Sequence, residues 1–145
     1  MKRVDVAIGI VVRDDKILIC QRPSDGPLAG YWEFPGGKKE TTETLEQTLV
    51  RELREELDIE VTDLDALAEI EFEYPSSRIR LHPFLCRHKS GEAVPLASQQ
   101  LRWVKARDLR EYRFPPANDA LIEDLIERFD RRARRQRVDS DVSET

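Results

Sequence analysis

The sequence predicts a single α/β domain, in which a mixed β-sheet has helices packed on it. Three observations support this class. Several short segments are rich in β-branched residues, leucines recur at every fourth position within residues 45–57, and a second helical repeat follows paired prolines at 115–116. With 145 residues, the chain is long enough for one buried core and too short to favour a second.

The N-terminal segment is expected to form a β-hairpin. Residues 4–21 contain two β-branched runs separated by a short polar break at 13–16. Residues 23–30 follow as a loop, because two prolines and two glycines oppose regular structure there. Order resumes at YWEFPGG, residues 31–37.

From Thr44 onward the hydrophobic pattern takes a helical period. Leucines at positions 45, 49, 53 and 57 share one face of an amphipathic helix. Either Thr41 or Thr42 is expected to cap its first turn.

Further strands and a second helix complete the predicted order. The strands are expected within 59–75, where the first is long and interrupted, within 78–89 and at 101–106. Residues 115–129 open with prolines and then space apolar residues helically, which predicts a helix packed on the sheet. Beyond it charge dominates, so we expect a domain of residues 1–130 followed by a disordered tail at 131–145.

The charge balance argues against two classes of partner. The chain has 24 Lys plus Arg and 29 Asp plus Glu, so its formal net charge of −5 offers no long-range attraction for nucleic acid or an anionic membrane. No apolar stretch approaches the roughly 18 residues of a membrane span, and no signal-peptide pattern is present. We therefore expect a cytoplasmic protein, a monomer or weak dimer. Cys20 and Cys86 lie in apolar, strand-like runs and are expected to be buried.

The segment GGKKETTETLEQTLVRELREELDI, which begins at Gly36, places concentrated negative charge beside the leucine face. On a helix, Glu52, Glu55 and Glu56 fall within an arc of about 100°, so three carboxylates converge and repel one another. A hard divalent cation such as Mg²⁺ is a natural partner, because it binds carboxylate and phosphate oxygens. Gly36 and Gly37 allow close approach of a ligand and offer a carbonyl oxygen. For RELREEL alone, a solvated, salt-bridged helix is the alternative.

The spacing of this segment is more specific than its composition. The defining positions are Gly37, Glu43, Arg51, Glu52, Leu53, Glu55, Glu56 and Ile59. This spacing resembles the Nudix box of the Nudix hydrolases. One position departs from it, because Asp58 stands where that family usually has a helix-ending glycine.

The resemblance implies a fold and a chemistry. Nudix hydrolases cleave a diphosphate bond in compounds that link a nucleoside diphosphate to another group, and they do so in an α/β/α sandwich. By this likeness, Glu52, Glu55, Glu56 and the Gly36 carbonyl hold Mg²⁺, for which Mn²⁺ can substitute, and Arg51 orients the glutamates by a salt bridge. The physical logic agrees, because phosphoryl transfer requires neutralised oxygens and a positioned water.

Two residues are candidates for the proton and charge transfers of the reaction. Glu52 is the first candidate for the base that activates water. Lys38 directly follows the glycines, and its ammonium group suits the charge of a departing phosphate. A solvated loop lysine is the alternative for Lys38.

Three segments outside the box, YWEFPGGK, EFEYP and FPPAND, are similar to the MutT branch of the family, which removes 8-oxo-dGTP from nucleotide pools. The likeness extends over about residues 3–129 and implies that Asn118 contacts the oxidised guanine. An amide can accept from N7–H of 8-oxoguanine while it donates to O6, whereas unoxidised guanine presents two acceptors. The alternative for Asn118 is a helix N-cap, since PPAN also suits a helix start.

The same likeness implies further substrate contacts. Arg22 matches an arginine near the nucleotide, and Glu33 matches a glutamate that helps to hold metal. Phe34 or Tyr74 can stack on a purine, with a core position as the alternative for each. At 97–98, Ala and Ser stand where the branch commonly has an acidic residue, so a contact from that loop is left open.

The sequence thus predicts a Mg²⁺-dependent enzyme that converts 8-oxo-dGTP to 8-oxo-dGMP and pyrophosphate, in the service of mutation avoidance in DNA replication and repair. One alternative is a Nudix hydrolase of another nucleotide, such as a pyrimidine triphosphate or a nucleotide sugar. The other is a noncatalytic domain that senses 8-oxoguanine. Asn118 favours a purine, and the complete set of box glutamates favours an enzyme.

Overall fold

The computed structural model describes residues 2–143, with the backbone alone described at Tyr74 and at 139–143. The strands are β1 (Lys2–Arg13), β2 (Lys16–Gln21), β3 (Trp32–Glu33), β4 (Gly36–Lys38), β5 (Glu60–Ala66), β6 (Ile70–Tyr74), β7 (Ser77–Ser90) and β8 (Gln100–Lys105). The helices are α1 (Leu45–Leu57) and α2 (Asp119–Ser143), and two 3₁₀ helices span Ala106–Glu111 and Pro116–Asn118.

These strands form one mixed sheet. Its main path runs β3-β2-β1-β7-β5, while β4 pairs with β1, β8 with β2 and β6 with β7. β1 runs parallel to β7 and antiparallel to β2 and β4. The predicted hairpin is present as β1 and β2, and the long, interrupted strand is present as β5 and β6.

The two faces of the sheet carry separate cores, each covered by one helix. β1 alternates between them, because Ile8, Ile10 and Val12 pack on the α2 side and Ala7 and Val11 pack on the α1 side. The helical residues that complete these cores are Leu49, Leu53, Leu57, Leu121, Ile122 and Leu125. Each fully buried leucine contributes about 1.5–3 kcal/mol to the free energy of unfolding. The predicted α/β/α sandwich is confirmed.

Both cysteines are free thiols within the core on the α1 side. Burial raises the pKa of Cys20 and of Cys86 to about 12 in each case, and the nearby charges of Glu33 and Glu56 act in the same direction at Cys20. Both thiols therefore stay protonated at neutral pH, as expected for buried, unreactive cysteines.

The start of α1 corrects one prediction. Thr44 is the N-cap, rather than Thr41 or Thr42. The Gln47 N–H donates to the Thr44 hydroxyl at 3.1 Å, and the Thr44 N–H donates to the Gln47 side chain at 2.9 Å. This reciprocal pair is a capping box, which satisfies two amides that would otherwise lack partners. The prediction was wrong because the T-x-x-Q spacing decides the helix start, and only Thr44 has it.

The end of α1 forms without a glycine. Asp58 takes the left-handed conformation, with φ of 57° and ψ of 39°, and its N–H donates to the Arg54 carbonyl at 3.0 Å. An aspartate tolerates this conformation at a cost of about 1 kcal/mol. The later loop also caps the helix, since the amides of Val94 and Leu96 donate to its last two carbonyls at 3.0 Å each.

α2 is longer than predicted. The segment 131–143, expected to be disordered, continues the helix as far as Ser143, and 144–145 lie outside the described residues. The physical reason is the absence of Gly and Pro after residue 119 together with opposite charges four residues apart. The pairs are Asp124 with Arg128, Glu127 with Arg131 and Asp130 with Arg134. Within residues 2–143, no helix combines the length and apolar character that crossing a membrane requires.

Candidate active site

A cleft of about 290 Å³ is lined by residues from β1, β3, β4, α1, β6, β7 and the second 3₁₀ helix. The predicted site residues in its wall are Arg22, Glu33, Phe34, Gly36, Lys38, Glu56 and Asn118. The other predicted residues lie on α1, where Arg51 donates hydrogen bonds to both Glu52 and Glu55. A second cavity of about 270 Å³, between β5, β7 and α2, contains none of the predicted site residues.

β4 brings the glycines of the box against β1, where Gly36 pairs with Ile8 and Gly37 with Ala7. A Cβ on Gly36 would lie 2.0 Å from the Ala7 carbonyl oxygen, and the Gly36 φ of +155° is one that other residues rarely adopt. A Cβ on Gly37 would lie 2.4 Å from the carboxyl carbon of Glu52. The first glycine is therefore required by the backbone, and the second leaves room for a carboxylate.

Arg51 finds an oxygen acceptor for each of its five N–H donors. Nε and Nη2 donate to the two oxygens of Glu43, at 2.6 and 2.9 Å. Nη1 donates to Glu52 at 3.0 Å and to Glu55 at 3.2 Å, and Nη2 also reaches the Lys38 carbonyl at 3.4 Å. Because a guanidinium holds its donors in a rigid fork, this arrangement fixes the orientation of Arg51 and, through it, of Glu52.

Glu43 anchors that guanidinium. Its carboxylate also accepts the Glu40 N–H and the Thr48 hydroxyl, each at 3.1 Å. The hydrogen bonds from Arg51 hold the pKa of Glu43 at about 2, well below its ordinary value, so the carboxylate is ionised throughout the neutral range. From the sequence, Glu43 was predicted only as a motif position, because its hydrogen bonds with Arg51 and Thr48 form in the folded protein and leave no pattern in the sequence.

Glu56 lies in the cleft wall next to Glu52. Burial raises the pKa of Glu56 to about 8. The charge of Glu52, a hydrogen bond with the Glu52 carboxyl group and the charge of Glu33 act in the same direction, whereas a hydrogen bond from the Gly36 N–H lowers the pKa. A hydrogen bond between two carboxyl groups requires a proton, so the pair holds one near neutral pH. Acids perturbed in this way are typical of functional sites.

The carboxylates fit a divalent cation with one adjustment. Glu52 and Glu56 are hard oxygen donors, and a cation between them would take the place of their shared proton. The Glu55 carboxylate instead pairs with Arg51, and its side chain is 59% exposed, so it must turn away from Arg51 to join the other two. Across residues 2–143, no three acidic, histidine or cysteine side chains already converge as a ligand set.

Arg22 connects Glu33 with the loop at 23–30. Its Nη1 donates to Glu33 at 2.8 Å, and its Nε donates to the Pro27 carbonyl at 2.9 Å. Both charged side chains line the cleft and are about one-third exposed, at 31% and 38%. Arg22 thus holds Glu33 beside the carboxylate cluster, and its predicted contact with a nucleotide stays a prediction.

Asn118 is buried in the cleft wall with 7% of its surface exposed. Its Nδ2 donates to the Pro115 carbonyl at 3.5 Å, which is the outer limit of a hydrogen bond. Asn118 directly precedes α2, yet within residues 2–143 its side chain accepts no hydrogen bond from an α2 amide. This geometry favours a role in the cleft over the N-cap alternative.

Apolar residues form the remaining walls. Phe34 is 4% exposed and packs on Phe114 with ring centroids 5.0 Å apart, so the structure favours its core alternative over a base stack. Leu28, Phe72 and Leu81 also line the cleft, and sequence analysis missed them. Alternation along the β6–β7 hairpin carried a signal for Phe72 and Leu81. Leu28 has no such signal, since it lies in the loop in a left-handed conformation.

The loop at 92–99 supports the site from the end of α1. The Leu96 N–H donates to the Glu56 carbonyl at 3.0 Å, and the Ser98 hydroxyl hydrogen-bonds to Cys20. The loop therefore steadies the backbone of Glu56, although it offers no acidic side chain at 97–98.

Residues 6–124 match the family model described as the NUDIX domain. The chain belongs to this family. Its predicted family and fold are thereby confirmed, and so is its class, that of a Nudix hydrolase. Nudix hydrolases generally use a divalent metal ion, which agrees with the two neighbouring carboxyl groups of Glu52 and Glu56.

Named Nudix relatives act on different nucleotides. The chain is 40% identical over 123 residues to the CTP pyrophosphohydrolase of Escherichia coli K12, a match that covers 85% of this chain and 91% of that protein. It is 36% identical over 126 residues to the 8-oxo-dGTP diphosphatase of the same organism, covering 86% and 98%.

Solved Nudix structures have the same fold. The solution structure of the Escherichia coli ORF135 protein has a TM-score of 0.73 and 39% identity, covering 85% of this chain and 88% of that one. A MutT structure from work on Aliivibrio salmonicida and Vibrio cholerae has a TM-score of 0.71 and 37% identity, covering 88% and 99%.

Proposed function

We propose that this Nudix hydrolase cleaves 8-oxo-dGTP between the α and β phosphorus atoms, giving 8-oxo-dGMP and pyrophosphate, with Mg²⁺ as its metal. The observation that carries the proposal is the composition of one cleft. Its wall contains both Glu56, from the perturbed carboxylate pair, and the buried amide of Asn118. The role is cleansing of the cytoplasmic nucleotide pool.

Mg²⁺ would be held by Glu52, Glu56 and the Gly36 carbonyl, and by Glu55 once its carboxylate leaves Arg51. When bound, the ion neutralises charge on the non-bridging phosphate oxygens. The shared proton of the Glu52–Glu56 pair favours this assignment, because a cation can replace a proton that two neighbouring carboxyl groups share.

The chain's own residues accept the proton of the water and stabilise the charge of the leaving group. Glu52 is the base that takes a proton from the attacking water, and Arg51 keeps one of its oxygens in place at 3.0 Å. Lys38 is exposed at the rim of the cleft, where its ammonium group can stabilise the charge of the departing pyrophosphate. Arg22 donates a hydrogen bond to Glu33, and this ion pair forms the adjacent part of the cleft wall.

Asn118 discriminates the oxidised base from guanine. Its amide oxygen accepts N7–H of 8-oxoguanine while its amino group donates to O6. With guanine, the amide oxygen faces the unprotonated N7, and a buried mismatch of this kind costs about 1–3 kcal/mol. Within residues 2–143, the side-chain amide makes one long hydrogen bond, to the Pro115 carbonyl, so it is able to serve a ligand.

CTP is the second candidate substrate. The relative that is 40% identical to this chain is named CTP pyrophosphohydrolase. Cytosine also presents a donor beside an acceptor, N4–H₂ and N3, so the same amide can pair with it. Apolar walls at Leu28, Phe72 and Leu81 would enclose either base.

A nucleotide panel tests the proposal. Release of pyrophosphate is measured for 8-oxo-dGTP, dGTP, CTP and dCTP, each with Mg²⁺ and with excess chelator. We expect the highest kcat/KM with 8-oxo-dGTP, no activity in chelator and recovery with Mg²⁺ or Mn²⁺. A higher kcat/KM with CTP would move the assignment to the second candidate, and undiminished hydrolysis in chelator would overturn the metal site.

A further inference from the structure

We infer that Thr48 is a positioning residue for Glu52, an inference that rests on the proposed role of Glu52 as the base. Thr48 lies within α1, between Glu43 and Arg51, at a position that the Nudix box leaves unspecified. It is fully buried, with 0% of its surface exposed, and among the described residues it and Asn118 are the buried polar ones. A buried hydroxyl requires a partner, and this partner is Glu43.

Two acceptors lie within reach of the Thr48 hydroxyl. Glu43 Oε1 lies at 3.1 Å and the Thr44 carbonyl at 3.0 Å, but a hydroxyl has one proton to donate. The Thr44 carbonyl already accepts the Thr48 backbone N–H at 3.0 Å. The Glu43 carboxylate is ionised and is therefore the stronger acceptor. The hydroxyl proton thus serves Glu43.

The consequence passes along a chain of hydrogen bonds. Glu43 Oε1 accepts from Thr48, from Arg51 Nη2 and from the Glu40 N–H, and the Thr48 hydroxyl is the donor among them that comes from the buried face of α1. The hydroxyl therefore helps to fix the rotation of the carboxylate that Arg51 contacts. Arg51 then donates to Glu52 through Nη1. Without the hydroxyl, Glu43 keeps the donors of Arg51 and the backbone N–H of Glu40, which lies in the exposed loop before α1, but it loses its contact with the helix interior. Glu43 and Arg51 can then shift together and carry Glu52 with them.

The presence of threonine at position 48 supports a positioning role. Threonine is a weaker helix former than alanine, because its branched side chain loses rotamer freedom. A threonine in a buried helix position therefore has an intrinsic cost, which its contact with Glu43 offsets. The same branching restricts the side chain to few rotamers, so the hydroxyl is aimed at Glu43 before any ligand arrives.

Two substitutions separate the hydroxyl from the methyl group. Thr48→Val keeps the shape and removes the hydroxyl, whereas Thr48→Ser keeps the hydroxyl and removes the methyl. We expect Thr48→Val to lower kcat about five- to tenfold with little change in KM. This effect lies at or below the lower end of the range for residues that support metal ligands, because Thr48 acts on Glu52 only through Glu43 and Arg51. Thr48→Ser should keep kcat near that of the wild type, although its buried methyl is lost and its melting temperature falls.

A second measurement needs no substrate. In ¹⁵N-resolved NMR of the metal-free protein, the Arg51 Nε–H, which donates to Glu43 at 2.6 Å, should exchange slowly with solvent in the wild type and in Thr48→Ser. It should exchange faster in Thr48→Val. Unchanged exchange and kcat in Thr48→Val would overturn the inference, and so would equal losses in both variants. If the wild type hydrolyses no nucleotide, the proposed function fails, and the exchange rates alone decide whether Thr48 fixes Arg51.

Discussion

Replacing Gly37 by alanine should impair catalysis without unfolding the protein. The added Cβ would lie 2.4 Å from the carboxyl carbon of Glu52 and 2.6 Å from each of its oxygens. Ordinary contact begins at 3.4 Å, so the carboxylate must retreat by about 1 Å. The obstacle is the end of a flexible side chain, and Gly37 is not among the glycines with positive φ, so the backbone can remain in place.

A shift of about 1 Å in a catalytic group can lower the rate about 100-fold. We therefore expect kcat/KM for 8-oxo-dGTP to fall by about that factor in Gly37→Ala, with little change in melting temperature. Steady-state release of pyrophosphate and thermal unfolding followed by circular dichroism measure the two quantities on the same sample.

Two other glycines provide controls. Gly36→Ala places its Cβ 2.0 Å from a backbone oxygen of Ala7, so this variant should lose stability rather than catalysis alone. Gly26→Ala meets nothing within 4 Å, although its φ is +92°, so it should lose about 1 kcal/mol of stability and keep its activity. Wild-type kcat/KM in Gly37→Ala would refute the claim that Glu52 must occupy this position.

Three further predictions concern the ends and the acids of α1. Glu52→Gln should lower kcat at least about 100-fold while the fold persists, as expected for loss of a general base, and full activity would remove that assignment. Asp58→Gly should raise the free energy of unfolding by about 0.5–1 kcal/mol, because glycine tolerates the left-handed conformation, whereas Asp119→Gly, at φ of −56°, should lower it. The pKa of Glu56 is about 8 in the folded protein, whereas its ordinary value is 4.5. Between about pH 4.5 and about pH 8, the folded protein therefore keeps a proton that the unfolded chain has lost. The stability of the metal-free protein should therefore fall as pH rises from about 4.5 to about 8, and Mg²⁺, which replaces the proton, should raise the melting temperature more at about pH 8.5 than at about pH 6. Equal increases at both pH values would contradict the shared proton.

Sequence patterns that depend on local geometry predicted the fold well. The four-residue spacing of leucines located α1, because a helix repeats its faces at that interval. The β-branched runs located β1 and β2, and the box spacing located Arg51 beside Glu52 and Glu55, as their hydrogen bonds confirm.

Features that depend on competition between neighbours were harder to predict. Thr41 and Thr42 were the predicted N-caps, but the reciprocal hydrogen bonds between Thr44 and Gln47 make Thr44 the N-cap instead. The charged segment at 131–143 resembled a disordered tail, but ion pairs four residues apart favour a helix there.

Long-range contacts left no signal that a single sequence could reveal. The pKa of Glu56 depends on its burial and on Glu33, which follows β2 by a loop and reaches the site only in the folded protein. Likewise, the ring contact between Phe34 and Phe114 joins segments about 80 residues apart, so Phe34 could equally be read as a stacking residue.

Selection of an oxidised guanine by Asn118, in the cleft whose wall also contains Glu56, is the central proposal. The most direct measurement is the ratio of kcat/KM for 8-oxo-dGTP to that for dGTP in the wild type, Asn118→Ala and Asn118→Asp. Aspartate caps a helix as well as asparagine does but cannot donate to O6. If the amide recognises the base, Asn118→Ala should lose about 1–3 kcal/mol of discrimination, roughly 5- to 150-fold in the ratio, while hydrolysis of dGTP continues. Asn118→Asp still accepts N7–H, so it should keep the preference but lower kcat/KM for both nucleotides, because O6 is an acceptor in both bases. If Asn118 is only a cap, the ratio should stay unchanged in both, and Asn118→Ala alone should lose about 1 kcal/mol of stability. That second result would contradict recognition of the base by Asn118.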